Sequence, residues 1–508
     1  MLIYIRRQTK YKTQRKVLPM IKSIQQFEEF GIKKLEKVIE KFLKEPKDMA
    51  SFVYGVRDGV IHLGLDIIQE TLEDCNQALC DSGKRKENWK ISKTDTKKLT
   101  TSLGTVQFKK TLFQNKKTGE YVYLLDRILG VESHERITED AEAKLLEEAV
   151  QTSYRKAGKE TSLMDEVSKQ TVKNKLHKLN FSAEQEKPAE KKVVDFLYID
   201  ADEDHVSLQF KEEKGDLETG ENHRKNNCVL AKLVYVYEGI EKEAPESKRH
   251  RLVNPHYFSG VYDGEENPKL WEEVYEYLDS HYELEKVKKI YLNADGGQWI
   301  QAGKSQIGGV TGVLDEFHLK KYLLKLTGHL LDSAEDARKE LCGAIKDGTK
   351  ADFEEVIEHI QECTETEAAH ERVEESANYI LKNWMTAKIR LRHKEGVKGC
   401  SAEGHVSHVL SGRMSSRPMG WSRLGADKMA HLRAYYWNHG DMLELVRRQK
   451  EEIPVAAGAE DEILSCSDLL RWETQNHQKL GKYVDSISHS VSLEVQKYAW
   501  FNAHIWNL

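Results

Sequence analysis

KVKKIYLNADGGQWIQAGKSQIGGVTGVLDEFHLKKY, from Lys286 to Tyr322, is the stretch from which the rest of the chain is best read. A basic rim leads into the apolar run Ile290-Tyr291-Leu292, which predicts a short buried strand. The run stops at Asn293-Ala294-Asp295-Gly296-Gly297. A carboxylate followed by two glycines suits a strand end that a ligand approaches closely. A second apolar run, Val310 to Leu314, stops at Asp315, with His318 three residues on. Two strands ending in Asp at one sheet edge make a platform for a metal ion. The same two residues also suit the N-caps of the following helices, Asp being a favoured cap.

At 508 residues the chain exceeds one ordinary hydrophobic core, and roughly two to four domains are expected. Hydrophobic residues make up 39% and charged residues 32%, and no apolar run approaches the roughly 18 residues that span a bilayer. The opening MLIYIRRQTKYKTQRKVLPM is basic without a continuous apolar core, so it does not make a signal peptide. Met20 begins a cleaner amphipathic segment, and residues 1–19 are read as a start-site extension. The seven cysteines are odd in number and none is spaced C-x-x-C, which argues against a zinc ribbon or disulfide framework. A reduced, cytoplasmic protein is expected. With a net charge of −6, nucleic-acid affinity must come from local basic patches.

Residues 1–97 form an N-terminal helical region. Ile21, Ile24, Phe27, Phe30 and Ile32, continued by Leu35, Val38, Ile39 and Phe42, mark one face of a packing or oligomerisation helix pair. Residues 98–136 form a small β unit, in which GTVQFKKTLF and EYVYLL flank a turn at Asn115-Lys116-Lys117-Thr118-Gly119. Residues 137–185 hold three short helices, the first capped by Thr138 with Glu142 in its first turn. The last carries Lys169, Lys173, Lys175 and Lys178 and no acid, which suits the recognition helix of a helix-turn-helix, although small bundles share the pattern. A polar linker around Pro188 follows.

Residues 190–319 are strand-rich, with VVDFLYIDADEDHVSLQF and AKLVYVYEGI, and Asp200 and Asp202 share a strand face under the two-residue period. Trp271, Val274, Tyr275 and Leu278 line the inner side of a helix over 268–285. Residues 320–395 are an all-helical insertion whose middle holds ten acids against one arginine, a poor surface for DNA. Residues 396–440 return to the core. From Gly404 to Gly440 four arginines and one lysine stand against one aspartate, interleaved with Trp421 and Trp437. That mixture suits DNA, with Arg413, Arg417 and Arg423 as phosphate contacts, or else a structural core with a basic rim. Residues 441–508 form a C-terminal tail whose WETQNHQKLGKYV and YAWFNAHIW segments suggest no chemistry.

The acids to weigh are Asp200, Asp295, Asp315 and Glu403, the last opening a predicted helix. Two-metal phosphodiester chemistry needs about three carboxylates around two ions about 3.5–4 Å apart. Carboxylates suit Mg²⁺, a hard ion that keeps waters and takes phosphate oxygens as further ligands. With 84 acids in the chain, spacing alone does not single out a triple.

YIDADEDHVSLQ, IYLNADGGQWIQAG, LDEFHLKKYL and SAEGHVSHVLSGRMSSRPMGWS together resemble the ISLre-type insertion-sequence transposases of bacteria, an uncharacterised protein family related to the Mutator-like DDE transposases. The resemblance runs from residue 20 to about 450, and the last motif is the most specific. It implies an α/β catalytic core with a ribonuclease H-like mixed sheet, an all-α insertion and an Asp-Asp-Glu triad. Carried over by position, the triad is Asp200, Asp295 and Glu403, with Asp202 as the alternative to Asp200. Asp315 and His318 meet a D-x-x-H element and are expected as orienting residues. The implied cofactors are two Mg²⁺ ions, for which Mn²⁺ can substitute. The implied partners are terminal inverted repeats, target DNA and further copies of the chain. Metal-activated water would nick the transposon ends, and the freed 3′-OH would attack target DNA. A nuclease or resolvase without strand transfer and an inactive DNA-binding relative are the alternatives. A glycosidase, which also pairs carboxylates, is disfavoured by the basic neighbourhood.

Overall fold

In the strand-rich region tyrosines and acids alternate with aliphatic residues, and the computed structural model turns that alternation into two unlike faces of one sheet. The structure describes residues 22–132, 134–181, 188–209, 218–219, 225–393 and 395–451. The start-site reading of residues 1–19 and the WETQNHQKLGKYV and YAWFNAHIW segments lie outside the described residues. Two compact units divide the chain. The first holds described residues up to 148, 155–168 and those from 446; the second holds 149–154 and 169–445.

In the first unit, α1 (Lys22–Gln26) runs through a π-helical turn into α2 (Ile32–Lys44), and α3 (Met49–Asp81) follows, capped by Asp48. Phe42 stacks on Phe52 at 4.5 Å, while Val38 and Leu35 lie over Gly55 and Gly59, so the two helices run antiparallel. Next come α4 (Gly83–Asn88) and an antiparallel sheet of β1 (Trp89–Thr100), β2 (Thr105–Asn115) and β3 (Tyr121–Val122). The first of these strands was hidden in the sequence by its four lysines and threonine-rich polar face. Its inward positions Trp89 and Leu99 nonetheless join Val106, Phe108, Phe113 and Leu79 in one core. The expected EYVYLL strand is shorter than predicted, because Leu124–Ile128 turns into a helix, α5. There buried Asp126 pairs with Lys97 at 3.3 Å and with Lys110, so the lysines are tied down rather than offered to phosphate.

The three helices expected over 137–185 form as α6 (Glu139–Ala149), α7 (Tyr154–Glu160) and α8 (Lys169–Lys178). They do not form one domain of their own. Nearly all of α6 and most of α7 belong to the first unit, whereas α8 belongs to the second. Val172 and Leu176 are the buried positions of α8, and its Lys169 and Lys178 are exposed.

The second unit is built on a five-stranded mixed sheet. Its strands are β4 (Phe196–Ser207), β7 (Cys228–Tyr237), β10 (His256–Gly260), β11 (Lys289–Ala294) and β12 (Val310–Leu314), in the order β10-β7-β4-β11-β12. Two small ribbons, β5 (Glu218–Thr219) with β6 (Lys225–Asn226) and β8 (Gly239–Lys242) with β9 (His250–Val253), interrupt the meander. β7 runs antiparallel to β4 and β10, while β11 runs parallel to β4 and β12. Parallel neighbours need crossovers. α10 (Gln298–Gln306) joins β11 to β12, and α9 (Asn267–His281) brings the chain back from β10 to β11.

Both helices cover one face. Leu197, Ile199, Ala201, Val234, Val236, Ile290 and Leu292 form a core there with Trp271, Val274 and Leu278 of α9 and Ile300 of α10. The opposite face carries the other half of the period: Tyr198, Asp200 and Asp202 on β4, Tyr235 and Tyr237 on β7, Tyr291 and Asn293 on β11. After β12 the insertion forms a separate core from α11 (Glu316–Thr327), α12 (Ala334–Asp347), α13 (Lys350–Glu362), α14 (Glu367–Lys382) and α15 (Trp384–Arg392). The chain then crosses the tyrosine face and ends in α16 (Ala402–Val406), α17 (Gly412–Met414), α18 (Arg423–Trp437) and α19 (Met442–Glu451). Among the described residues no helix is long and apolar enough to cross a membrane.

α9 and α10 cross where Gly303 meets the Trp271 ring, and a Cβ at that position would sit 2.5 Å from a ring carbon. Trp271 is fully buried and donates its Nε1–H to the Trp299 carbonyl at 3.0 Å, so it has no room to yield. Gly303→Ala is therefore expected to lower stability by about 1–3 kcal/mol, the usual cost of overpacking. Urea unfolding followed by tryptophan fluorescence measures it, and an unchanged midpoint would contradict this packing.

Candidate functional site

Asp200 lies at the centre of the tyrosine face and is wholly buried. Its Oδ2 accepts from Tyr235 Oη at 2.7 Å and from the Ser401 backbone N–H at 3.3 Å. Its Oδ1 accepts from Asn293 Nδ2 at 2.7 Å and from Tyr237 Oη at 3.1 Å, and the Cys400 thiol also bonds to it. Burial pushes the carboxyl up although all these donors pull it down. Both oxygens are committed to protein donors. The residue carried over as the first triad acid is thus engaged on both oxygens by the protein itself.

Asp202, the alternative first acid, lies close enough to Asp295 and Glu403 to feel their charges. One strand period beyond Asp200 it stands on the same face, nearer the strand end. The register Ala201↔Ala294 sets it directly beside Asp295. Burial is the largest influence on its carboxyl, followed among the upward effects by the negative charges of Asp295 and Glu403, and together they push it up to about 7. Three acids from distant stretches of chain thus share one field. Glu403, the second residue of α16, is exposed.

The turn after β11 holds Asp295 from several sides. Its Oδ1 accepts from the Gly297 N–H at 2.8 Å, and its carbonyl accepts from the Tyr379 hydroxyl of α14. Gly296 has φ +92°, and a Cβ there would lie 2.3 Å from Asn383 Oδ1, so the turn needs glycine both for its backbone and for the insertion's approach. Of the two capping expectations only one holds. Asp315 caps α11, accepting from the His318 N–H at 3.3 Å, whereas the N-cap of α10 is Gly297 and not Asp295. The His318 Nδ1 also lies 2.9 Å from Asp315 Oδ2. That hydrogen bond, with the charges of Asp315, Asp295 and Asp202, raises the imidazole above its usual value despite burial. Burial raises Asp315, but the His318 and Cys400 bonds outweigh it and the carboxyl ends below its usual value. Among the described residues no group of three or more His, Cys, Asp or Glu side chains is placed to hold a metal ion.

The segment that delivers Glu403 is clamped to the sheet by tyrosine hydroxyls. Tyr291 Oη donates to the Glu395 carbonyl at 2.7 Å and Tyr198 Oη to the Gly396 carbonyl at 2.6 Å. From the insertion, buried Arg390 donates to the Leu314 carbonyl at 2.8 Å, to Asn293 Oδ1 at 2.6 Å and to the Lys398 carbonyl. None of Tyr235, Tyr237, Asn293, Arg390 or Cys400 was singled out from the sequence. The available signal was the tyrosines recurring at the same strand parity as the aspartates.

The basic segment divides. Arg413 is buried, its Nε donating to the Ala149 carbonyl at 3.0 Å and its guanidinium lying over Trp421 at 4.9 Å and Tyr154 at 5.7 Å. It is structural, which corrects its reading as a phosphate contact. Arg433 likewise is buried among the carbonyls of Val150, His408 and Val409. Arg417 is exposed, and Arg423 is exposed in an ion pair with Asp263.

A family profile described as Uncharacterised protein family (UPF0236) matches residues 43–452. A UPF0236 protein of Caldanaerobacter subterraneus subsp. tengcongensis is 34% identical over 444 residues, 87% of this chain and 90% of that one. Another from the same organism is 36% identical over 421 residues, 82% of this chain and 86% of that one. A UPF0236 protein encoded in the vanSb 3′ region of Streptococcus gallolyticus is 25% identical over 409 residues, 78% of this chain and 84% of its own length. The chain belongs to this family. Among solved structures, the Drosophila P element transposase strand transfer complex matches 75% of this chain and 94% of that chain, at 10% identity. Its TM-score of 0.21 is too low to carry an argument.

The state of Asp202 has a consequence for stability. Its native carboxyl titrates near 7 against 3.8 for the free group, so between about pH 4 and pH 7 the native state holds a proton the unfolded chain has released. Stability therefore falls as pH rises through that window. Asp202→Asn removes this term and should be more stable than the parent at pH 8, by on the order of 1–3 kcal/mol, with no such gain at pH 4. Thermal unfolding of both proteins at the two pH values checks the sign, and a gain of equal size at both would contradict it.

Proposed function

We propose that this protein is a metal-dependent DNA transposase of the DDE class, working on a ribonuclease H-like core with Asp202, Asp295 and Glu403 as its acid triad. The observation that carries this reading is the mutual field of those three carboxylates. The charges of Asp295 and Glu403 add to burial in pushing the Asp202 carboxyl up, and a bound divalent cation would relieve that repulsion. The donor set is all oxygen, which suits Mg²⁺ or Mn²⁺. Further support comes from the mixed sheet, with Asp202 and Asp295 side by side just past the last pair, Ala201↔Ala294, of the parallel strands β4 and β11.

In this reading Asp202, Asp295 and Glu403 would hold two ions once Glu403 closes on the two aspartates. When bound, Mg²⁺ supplies Lewis-acid activation of the attacking oxygen and charge stabilisation of the leaving one. The chain itself does the rest. Asp315 fixes the His318 ring through Nδ1 and favours its charged form. That leaves Nε2 as the nitrogen the ring can offer to a phosphate oxygen. Because Glu403 stands on an exposed helical turn, it can adjust as ions and DNA enter. Arg417, Arg423, Lys169 and Lys178 offer exposed charge for the DNA backbone. The Arg423–Asp263 pair is half exposed, so exchanging the carboxylate for a phosphate costs little.

The test uses DNA carrying the element's terminal repeats, in gel-shift, nicking and strand-joining assays on the same preparations. Asp202→Asn and Glu403→Gln should lose nicking by at least about 100-fold while binding DNA as the parent does, since removing a carboxylate lessens repulsion with phosphate. Arg417→Ala should weaken binding to all sequences and reduce the salt slope by about one. Arg413→Ala should instead lower the melting temperature and leave the slope unchanged. Normal nicking by either acid variant would remove that acid from the triad, and nicking without joining would make the protein a nuclease.

A further inference from the structure

We propose that the outward stripe of α11 is a track for a single DNA strand leaving the acid site, with Lys321 and Lys325 on its phosphates and Phe317 against one of its bases. Its place beside the site rests on the DNA reading above. α11 starts at the Asp315 cap and carries His318 in its first turn, where the imidazole feels the charges of Asp295 and Asp202. The exposed residues of this helix are Phe317, Lys320, Lys321, Leu324 and Lys325. At about 3.6 residues per turn all five fall on one face. Phe317 is 50% and Leu324 54% exposed, whereas Leu319, Leu323 and Leu326 are buried on the other side. The Phe317 ring meets the His318 ring edge-on at 5.4 Å, so one end of the stripe abuts the site. Lys321 stands over the same ring at 5.9 Å.

Charge and the exposed ring together choose the occupant. α11 carries three lysines against one acid, Glu316, and that acid pairs with Lys320 at 2.5 Å. Among the described residues no ion pair reaches Lys321 or Lys325. The acidic surface of the insertion lies elsewhere: α13 has five acids against one lysine, and α14 four against an arginine and a lysine. α14 packs beside α11, with Tyr322 stacked on Tyr379 at 3.7 Å, and exposes Glu371, Glu374 and Glu375. Those carboxylates flank the track and repel a second phosphate backbone on that side. In a duplex each base face is covered by its neighbours, so the Phe317 ring finds a partner only where a strand is unpaired. From Phe317 to Lys325 the stripe spans about 12 Å, the length of about three or four nucleotides at roughly 3.4 Å each.

Fluorescence anisotropy of a labelled single strand of about 12 nucleotides with the full-length protein, without added metal, tests this beside the same sequence as a duplex. Lys321→Glu with Lys325→Glu should weaken strand binding at least about tenfold and duplex binding less than about twofold. Phe317→Ala should weaken strand binding about fivefold or more, the loss of one base–aromatic stack, and Phe317→Trp should restore it. A 2-aminopurine in the strand, which dims on stacking, should be quenched by the parent and by Phe317→Trp but not by Phe317→Ala. Lys350→Glu, exposed on α13, should leave strand binding within about twofold of the parent. All four side chains are exposed, so each variant should fold as the parent does, which circular dichroism checks. A parent that does not bind the strand, an equal loss from Lys350→Glu, equal losses for strand and duplex, or quenching that survives Phe317→Ala would each overturn the proposal. None of these readouts uses cleavage. The track can therefore fail while Asp202→Asn still loses nicking, and a protein that never nicks DNA would remove the transposase reading with the strand binding still measured.

Discussion

The hydrogen-bond cage around Asp200 is the constraint from which the site follows. A carboxylate taken wholly out of water is tolerated only when donors replace its hydration. Here the donors come from four places at once: the β7 tyrosines, Asn293 of β11, and the backbone and thiol of the Cys400–Ser401 segment. Each of these is thereby held at a fixed distance from the middle of β4. Ser401 stands two residues before Glu403, so satisfying Asp200 also fixes where α16 begins. The position of the third acid is a by-product of burying a different one.

The insertion acts on the same arrangement from the other side. A long helical excursion between β12 and the Glu403 segment would leave that segment loosely tethered if the helices packed only on themselves. Arg390 prevents this by binding the end of β12, Asn293 and the Lys398 carbonyl with one guanidinium, whose planar fork spans three acceptors where a lysine could not. Tyr379 and Asn383 meanwhile close on the Asp295 turn. The acidic outer surface of the insertion is unsuited to DNA, and its value to the site lies in these inward contacts. Loop, sheet and insertion share one polar network, so a loss at any member is felt by the others.

Much of this was legible in the sequence, and what was not has identifiable physical causes. Strand ends at Asp295 and Asp315, the helical insertion and the helix at Glu403 all follow from apolar periodicity and its interruptions. The choice between Asp200 and Asp202 does not. A two-residue period assigns both to one face, and what separates them is depth along the strand, set by a segment two hundred residues away. Arg413 misled for a related reason, since charge in a sequence carries no record of the aromatic rings that enclose it. β1 was missed because its lysines look solvated, and burial of Lys97 depends on Asp126 beyond the next two strands.

Asp200 and Asp202 also show why one residue type can serve two purposes about 7 Å apart along a strand. At position 200 every partner is a donor: two hydroxyls, an amide N–H of Asn293, a backbone N–H and a thiol. A carboxylate, which only accepts, matches all of them, whereas an asparagine would turn its own NH₂ group toward another donor. At position 202 burial and the Asp295 and Glu403 carboxylates oppose the negative charge and outweigh the Glu203 N–H and the His318 ring that favour it. A cation or a proton there would relieve the imbalance. The buried acid is at rest in its cage, while the acid one period further on is left wanting positive charge.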